Sequence, residues 1–176
     1  MLYEKKILSK KTLFGYGENN NLLMSHASHY VPGVKFSTGS LGHGLPVAIG
    51  SALAAKKEKL KKNIYVLLSD GELNEGTTWE SLLFAAHHKL NNLCVIIDYN
   101  KLQSLTFVSK TIKLEPIVNK IRSFNCLVKS INGHNINQLI NAFKFKSKNK
   151  PKVIIANTIK GKGISFMENN IAWHYK

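Results

Sequence analysis

Two short polar segments, each closing an apolar run, carry the residue types that can hold a charged ligand. Ser69-Asp70-Gly71-Glu72 follows the run at residues 63–68 (NIYVLL), and Asp98-Tyr99-Asn100 ends the run at residues 93–98 (LCVIID). The carboxylate of Asp70, the amide oxygen of Asn100 and the main-chain carbonyl of Leu102 are three hard oxygen donors. Magnesium or calcium takes such a set while keeping positions for water and phosphate. Gly71 lets the backbone come close to a diphosphate, and a helix starting near Thr77 can point its first N–H groups at the negative charge. The chemistry this describes is binding of a metal diphosphate. Singly, Asp-Gly and Asn after a strand are ordinary turn residues. Their spacing argues otherwise: one helix and one strand lie between Asp70 and Asn100, which places both at the same sheet edge if the two strands are neighbours.

The elements that must position these residues follow from hydrophobic periodicity. From residue 45 onward, helical and strand patterns alternate. Residues 45–57 are Ala-rich with apolar positions at helical spacing, 63–68 form a short continuous apolar run, 78–90 return to the helical period, and 93–98 form a second apolar run. A helix is expected over 115–124 with Pro116 in its first turn, a strand over 126–131, a helix over 136–145 and a strand over 152–157. Alternation of this kind calls for an α/β fold with a mostly parallel sheet covered on both faces. The first 44 residues are polar and turn-rich, end in the glycine-rich stretch STGSLGHG and show no capped, sheet-starting element. The expectation is one domain over residues 1–176 that is incomplete at its N-terminus.

Composition narrows the function. The chain has 176 residues and a formal charge of +15, yet Arg122 is its single arginine. Lysines spread over solvated faces do not make a nucleic-acid footprint, and bidentate recognition of phosphate or guanine has almost no material. No apolar stretch is long enough for a membrane helix and no secretory signal opens the chain, so a cytoplasmic protein without nucleic-acid or membrane partners is expected. Cys94 and Cys126 stand in strand-like runs without metal-ligand spacing and are read as reduced core thiols. A dinucleotide fingerprint is excluded, since Gly15-Tyr16-Gly17 has no third glycine and follows no strand.

Several longer segments carry a resemblance. STGSLGHGLPVAIGSALAAK, LLSDGELNEGTTWESLLFAAHHKLNNL, IIDYNKLQS, the Gly-His of Asn132-Gly133-His134, and IKGKGISFMENNIAWHY together resemble the transketolases, from about His26 to the end of the chain. The likeness is greatest to the amino-terminal section of two-subunit, transketolase-like enzymes. It implies a three-layer thiamine-diphosphate-binding fold and transfer of a two-carbon ketol unit between sugars. By this resemblance Gly39 and Leu41 border the cofactor rings, Asp70, Asn100 and the Leu102 carbonyl hold Mg2+ (or Ca2+ or Mn2+), and Gly71 and Glu72 lie at the thiamine diphosphate. Glu75 corresponds to an interface glutamate linking paired cofactors, His26 and His174 to active-site histidines beside the sugar, and Lys160 to a cation near the diphosphate.

The same resemblance implies a partner chain, the transketolase C-terminal section. That chain would carry the pyrimidine pocket and the activating glutamate, in a homodimer of heterodimers acting on a phosphosugar or sugar nucleotide. Relatives have an earlier segment with a Ser-x-Gly-His motif, and residues 104–107 (SLTF) lack the glycine that usually follows the metal-binding Asn. Both departures leave open a vestigial protein that keeps the fold without turnover. His87 and His88 are read as packing or surface residues and His29 as a loop residue. A turn role for His134 and a spacer role for His43 stand beside functional ones.

Overall fold

Four strands occupy the four apolar runs in the computed structural model, which describes residues 2–174. The structure divides into two compact units, one reaching to Leu41 and one starting at Gly42.

The first unit is mostly turns. Among the described residues its one helix, α1 (Lys10–Phe14), is capped by Ser9, whose Oγ accepts the Thr12 N–H at 3.1 Å. The hydroxyl before the first helical residue satisfies one orphan donor, which is enough for five residues too few to show a period, and no strand follows among the described residues before Ile64. Leu8 and Val31 are its buried apolar residues.

In the second unit, helix α2 (Gly44–Lys57) leads into strand β1 (Ile64–Ser69), a short 3-10 turn (Gly71–Asn74), α3 (Gly76–His87) and β2 (Leu93–Tyr99). There follow α4 (Val108–Thr111), α5 (Ile117–Ser123), β3 (Leu127–Asn132), α6 (Ile136–Lys144), β4 (Lys152–Asn157) and a 3-10 turn at Ile171–Trp173. All strand pairs are parallel, in the order β1-β2-β4-β3. Helices cross between parallel strands because each crossover must travel the length of the sheet. Pro116 stands at the N-cap of α5, one residue before the first helical one, where its missing N–H costs nothing.

Alternation along the strands sends side chains to two different cores. Leu68, Val95, Ile97, Val128, Val153 and Ile155 pack with Leu45 and Ala52 of α2, Leu82 and Ala85 of α3, and Ile117 and Ile121 of α5. On the opposite face Cys94 and Ile154 pack with Ala142 of α6, joined by Ile96, Ile131 and Phe145. Both cysteines are buried and free. Burial pushes the Cys126 thiol up to about 11 and raises that of Cys94, which keeps both protonated.

A polar strut ties the end of β2 to α5. Tyr99 donates its hydroxyl to Glu115 Oε1 at 2.8 Å, and the Ile117 N–H donates to Glu115 Oε2 at 2.9 Å. The Ile117 hydrogen bond foremost, then Tyr99 and two lysines, holds the Glu115 carboxyl below its ordinary range despite some desolvation. A lowered folded-state pKa stabilises above the unfolded value and is lost as pH falls through the folded one. Glu115→Gln should therefore cost about 0.5–1 kcal/mol at pH 7, small because the group is exposed. In urea titrations the gap from the parent should close as pH drops below the usual carboxylate range.

Candidate functional site

The register sets the two ligand loops side by side. Ser69 of β1 is the Cα partner of Asp98 of β2, so Asp70 leaves its strand beside Tyr99 and Asn100. Asp70 is 1% exposed, and its Oδ2 accepts the Lys101 N–H at 2.6 Å. Asn100 Oδ1 accepts the Leu102 N–H at 2.9 Å, which curls the loop so that residues 100–102 stay at the edge. Leu102 is buried and pairs with Phe107 in an isolated antiparallel bridge. Asp70 and the loop of residues 100–102 thus lie together at the carboxyl ends of β1 and β2.

Asp70 is a buried anion with no cationic partner among the described residues. Desolvation, helped by nearby Asp98 and opposed by the N–H groups of Lys101 and Gly71, pushes its pKa up to about 6. A buried carboxylate left without a countercharge fits a divalent cation, with the Asn100 amide in the adjacent loop and a second carboxylate, Asp98, nearby. Among the described residues no group of three or more His, Cys, Asp or Glu is placed to hold a metal.

The turn beyond Asp70 is braced against the start of α2. Glu72 accepts the Gly42 N–H through Oε2, and Thr77 Oγ1 donates to the Gly42 carbonyl at 2.9 Å. Gly42 has φ +80°, and a Cβ there would run into Thr77 and the Glu75 side chain, so only glycine fits. Glu75 itself stands at the N-cap of α3, half-buried. Thr78 Oγ1 donates to the Glu72 carbonyl at 2.7 Å, and Trp79 Nε1 to the Leu73 carbonyl at 2.8 Å. Gly71 opens the 3-10 turn these bonds hold.

Two other expected residues meet inside the N-terminal unit. Gly39 has φ +124°, and a Cβ on it would lie 2.8 Å from the ring of His26. The glycine lets the exposed imidazole lie against bare backbone. Leu41 is exposed at the end of this unit.

A third pair forms after β4. Lys160 Nζ lies 3.2 Å from His174 Nδ1. An ammonium only donates, so Nδ1 accepts and the ring proton sits on Nε2. Desolvation first, then the Lys160 charge, lowers the His174 pKa. Neutral at physiological pH, it presents an N–H donor. The loop leading to Lys160 is anchored by His134, whose Nε2 accepts the Ile159 N–H at 2.8 Å, and by Thr158 Oγ1 donating to Asp98.

Sequence reasoning missed the braces. Asn74 Nδ2 donates to Gln103 Oε1 at 3.3 Å, joining the two ligand loops, and Thr77 and Thr78 hold the turn between them. Position gave one signal for them: polar side chains four to nine residues past each strand end. The His134 backbone N–H donates to Asn132 Oδ1 in the turn before α6, but the cap there is Asn135, and the His134 side chain holds the Ile159 loop instead. His88 stacks on Phe84 and His29 Nδ1 contacts Ser37 Oγ at 2.7 Å, both packing and loop roles.

The fold is that of an α/β domain, and its candidate site lies at the carboxyl ends of parallel strands. The chain belongs to the transketolase family: residues 16–175 match the family model described as transketolase, thiamine diphosphate binding domain. It is 45% identical over 163 residues to an apulose-4-phosphate transketolase subunit of Actinobacillus succinogenes, covering 92% of this chain and 59% of that protein. It is 41% identical over 144 residues to a 6-deoxy-6-sulfo-D-fructose transketolase subunit of a Clostridium species, covering 81% and 52%. The crystal structure of transketolase from Campylobacter jejuni superposes with a TM-score of 0.88 at 31% identity, over 94% of this chain and 27% of that one. The chain therefore spans little more than half the length of the Actinobacillus and Clostridium relatives. No helix among the described residues is long and apolar enough to cross a membrane.

Two outcomes follow from the charges. The folded-state pKa of Asp70, about 6, lies above its reference value of 3.8, so the folded, metal-free chain holds this proton more tightly. The cost of the buried charge is absent below the reference pKa, grows between the two values and is complete above 6. Asp70→Asn, which keeps an acceptor for Lys101, should raise metal-free stability at pH 7.5 by an amount on the order of 2 kcal/mol. Urea midpoints in chelator should show that gain vanishing below pH 4. Separately, Lys160→Met should move the His174 titration, followed by NMR, upward toward the ordinary histidine value.

Proposed function

We propose that this chain is the cofactor-binding part of a transketolase-like enzyme that moves a two-carbon ketol unit between sugars. Asp70 carries the reading: a buried, unpaired carboxylate beside Asn100 is costly alone and useful once a cation arrives. Asp70, Asn100 and the Leu102 carbonyl would hold Mg2+, with Ca2+ or Mn2+ as substitutes. Gly71 and Glu72 would stand at the diphosphate with Lys160 adding positive charge, and Gly39 and Leu41 would border the rings. Bound thiamine diphosphate would supply an electron sink for the negative charge left on the former sugar carbonyl carbon when the bond beside it breaks.

The protein's own work is to orient and to move protons. His174, kept neutral by desolvation and by Lys160, would donate from Nε2 to a sugar oxygen, and His26 would lie beside the reacting carbonyl. Glu75 would meet its counterpart at a subunit interface. A partner chain, the transketolase C-terminal section, would bring the pyrimidine pocket and the activating glutamate, in a homodimer of heterodimers. The two relatives are named as subunits, one of an apulose-4-phosphate transketolase and one of a 6-deoxy-6-sulfo-D-fructose transketolase. Those names support both a divided enzyme and a modified or phosphorylated sugar as substrate. The setting is carbohydrate metabolism in the cytoplasm, with the whole sequence acting as one cofactor-binding domain.

Calorimetry tests the first step and a coupled ketol-transfer assay the second. Thiamine diphosphate with Mg2+ should bind, with affinity falling by at least about a hundredfold in Asp70→Ala and by about tenfold or more in Asn100→Ala. Chelation should release the cofactor. Turnover should require the C-terminal section. Tight binding that ignores Asp70 and Mg2+ would overturn the metal assignment, and binding without transfer in the presence of the partner would leave a cofactor-binding protein without the activity.

A further inference from the structure

The Gly133-His134 pair stands apart from the metal loops and reaches the Lys160–His174 pair through a single loop. Asn132, the last residue of β3, is the Cα partner of Asn157 of β4, and the chain turns directly after it. The Gly133 N–H donates to the Asn157 carbonyl at 2.8 Å, and a Cβ on Gly133 would lie 2.5 Å from the Thr158 methyl carbon. Only a residue without a side chain lets this turn rest so closely on the end of β4. His134 is thereby brought to the start of the next loop, where its Nε2 accepts the Ile159 N–H at 2.8 Å. That acceptor role puts the ring proton on Nδ1.

Two other roles open to the imidazole are already filled. The cap of α6 is Asn135, whose Oδ1 accepts the Gln138 N–H at 3.0 Å. The carboxylate within electrostatic reach of His134 is Glu168, which is engaged by the Gly163 N–H at 2.9 Å and by Lys162 at 3.4 Å. What the imidazole does hold is the N–H of the residue just before Lys160. The Lys160 carbonyl accepts the Asn169 N–H at 3.0 Å, so the main chain is fastened on both sides of the point from which the ammonium reaches His174 Nδ1 at 3.2 Å.

We propose that Gly133-His134 is a positioning unit for the ketol transfer: it holds Lys160 against His174 and so fixes which ring nitrogen of His174 carries the proton. His134 acts through Lys160 rather than on the sugar. With the ammonium in place Nδ1 is an acceptor and Nε2 keeps its N–H, whereas a slack loop would leave a neutral imidazole free to hold its proton on either nitrogen. The catalytic meaning rests on the reading of His174 as donor to a sugar oxygen, but the hold itself is a property of the chain without cofactor.

An NMR titration of His174 in the full chain, without cofactor, tests the hold. Desolvation and then the Lys160 charge lower the His174 pKa, so His134→Ala should shift that titration upward, in the direction of Lys160→Met. The double variant should shift it no further than Lys160→Met alone, because the one substitution acts through the other. His134→Gln, whose Oε1 can replace Nε2 as acceptor, should keep the parent titration. In the ketol-transfer assay with the C-terminal section, His134→Ala should lower kcat about tenfold at nearly constant KM, and His134→Gln should recover it. A His174 titration indifferent to His134→Ala, shifts that add in the double variant, an unchanged kcat, or a glutamine variant that behaves as alanine with its circular dichroism intact would each overturn the proposal. Absence of transfer by the parent chain would count against the ketol reading instead, and the titration would still decide whether His134 positions Lys160.

Discussion

A carboxylate placed where water cannot reach it is the constraint from which the rest of this structure follows. Asp70 stands at the last point where β1 can still bury a side chain, and the backbone N–H groups of Lys101 and Gly71 soften its charge without cancelling it. Almost every polar contact nearby serves to keep that arrangement rigid. The Asx-type bond of Asn100, the Glu72 carboxylate on Gly42 and the Thr78 hydroxyl on the Glu72 carbonyl each fix one loop without neutralising the anion. A lysine in the same position would neutralise that charge and stabilise the protein.

The histidines follow a related logic with opposite sign. His174 is beside a cation and partly desolvated, both of which favour its neutral form, and Lys160 also dictates which nitrogen holds the proton. His134 has spent its acceptor nitrogen on the Ile159 N–H, which makes it a fastening for the loop that carries Lys160. His26 owes its position to the absence of a side chain at Gly39. The three imidazoles differ in chemistry because of what lies next to them.

Much of this was legible in the sequence, and the reasons differ by element. The strands at 64–69, 93–99, 127–132 and 152–157 match the expected runs within a residue or so, since each is a continuous buried apolar segment. The positions of Asp70 and Asn100 were readable because one crossover unit has a predictable length. Strand order was not: inserting β4 between β2 and β3 depends on contacts that no local pattern encodes. The short helix Lys10–Phe14, the 3-10 turn Gly71–Asn74 and the Asn74–Gln103 link escaped for the same physical reason, being single turns held by side chains rather than by periodicity. The expectation of a sheet covered on both faces met an uncovered strip on β1, where Leu67 reads as core in the sequence and lies open in the structure.

Strand order also bears on how the chain acquires its fold. Ile64 pairs with Leu93 about thirty residues away, through a single helix, while Cys94 must find Lys152 almost sixty residues on. Loop closure favours the shorter connection only slightly in free energy, by about 0.6 kcal/mol per doubling, but local crossovers form sooner than distant ones. The β1-α3-β2 unit can therefore assemble before β4 threads between its neighbours, and with it the loops bearing Asp70 and Asn100. The edge that carries both loops would then be set while half of the sheet is still to come, and the two strands added last would have no part in arranging it.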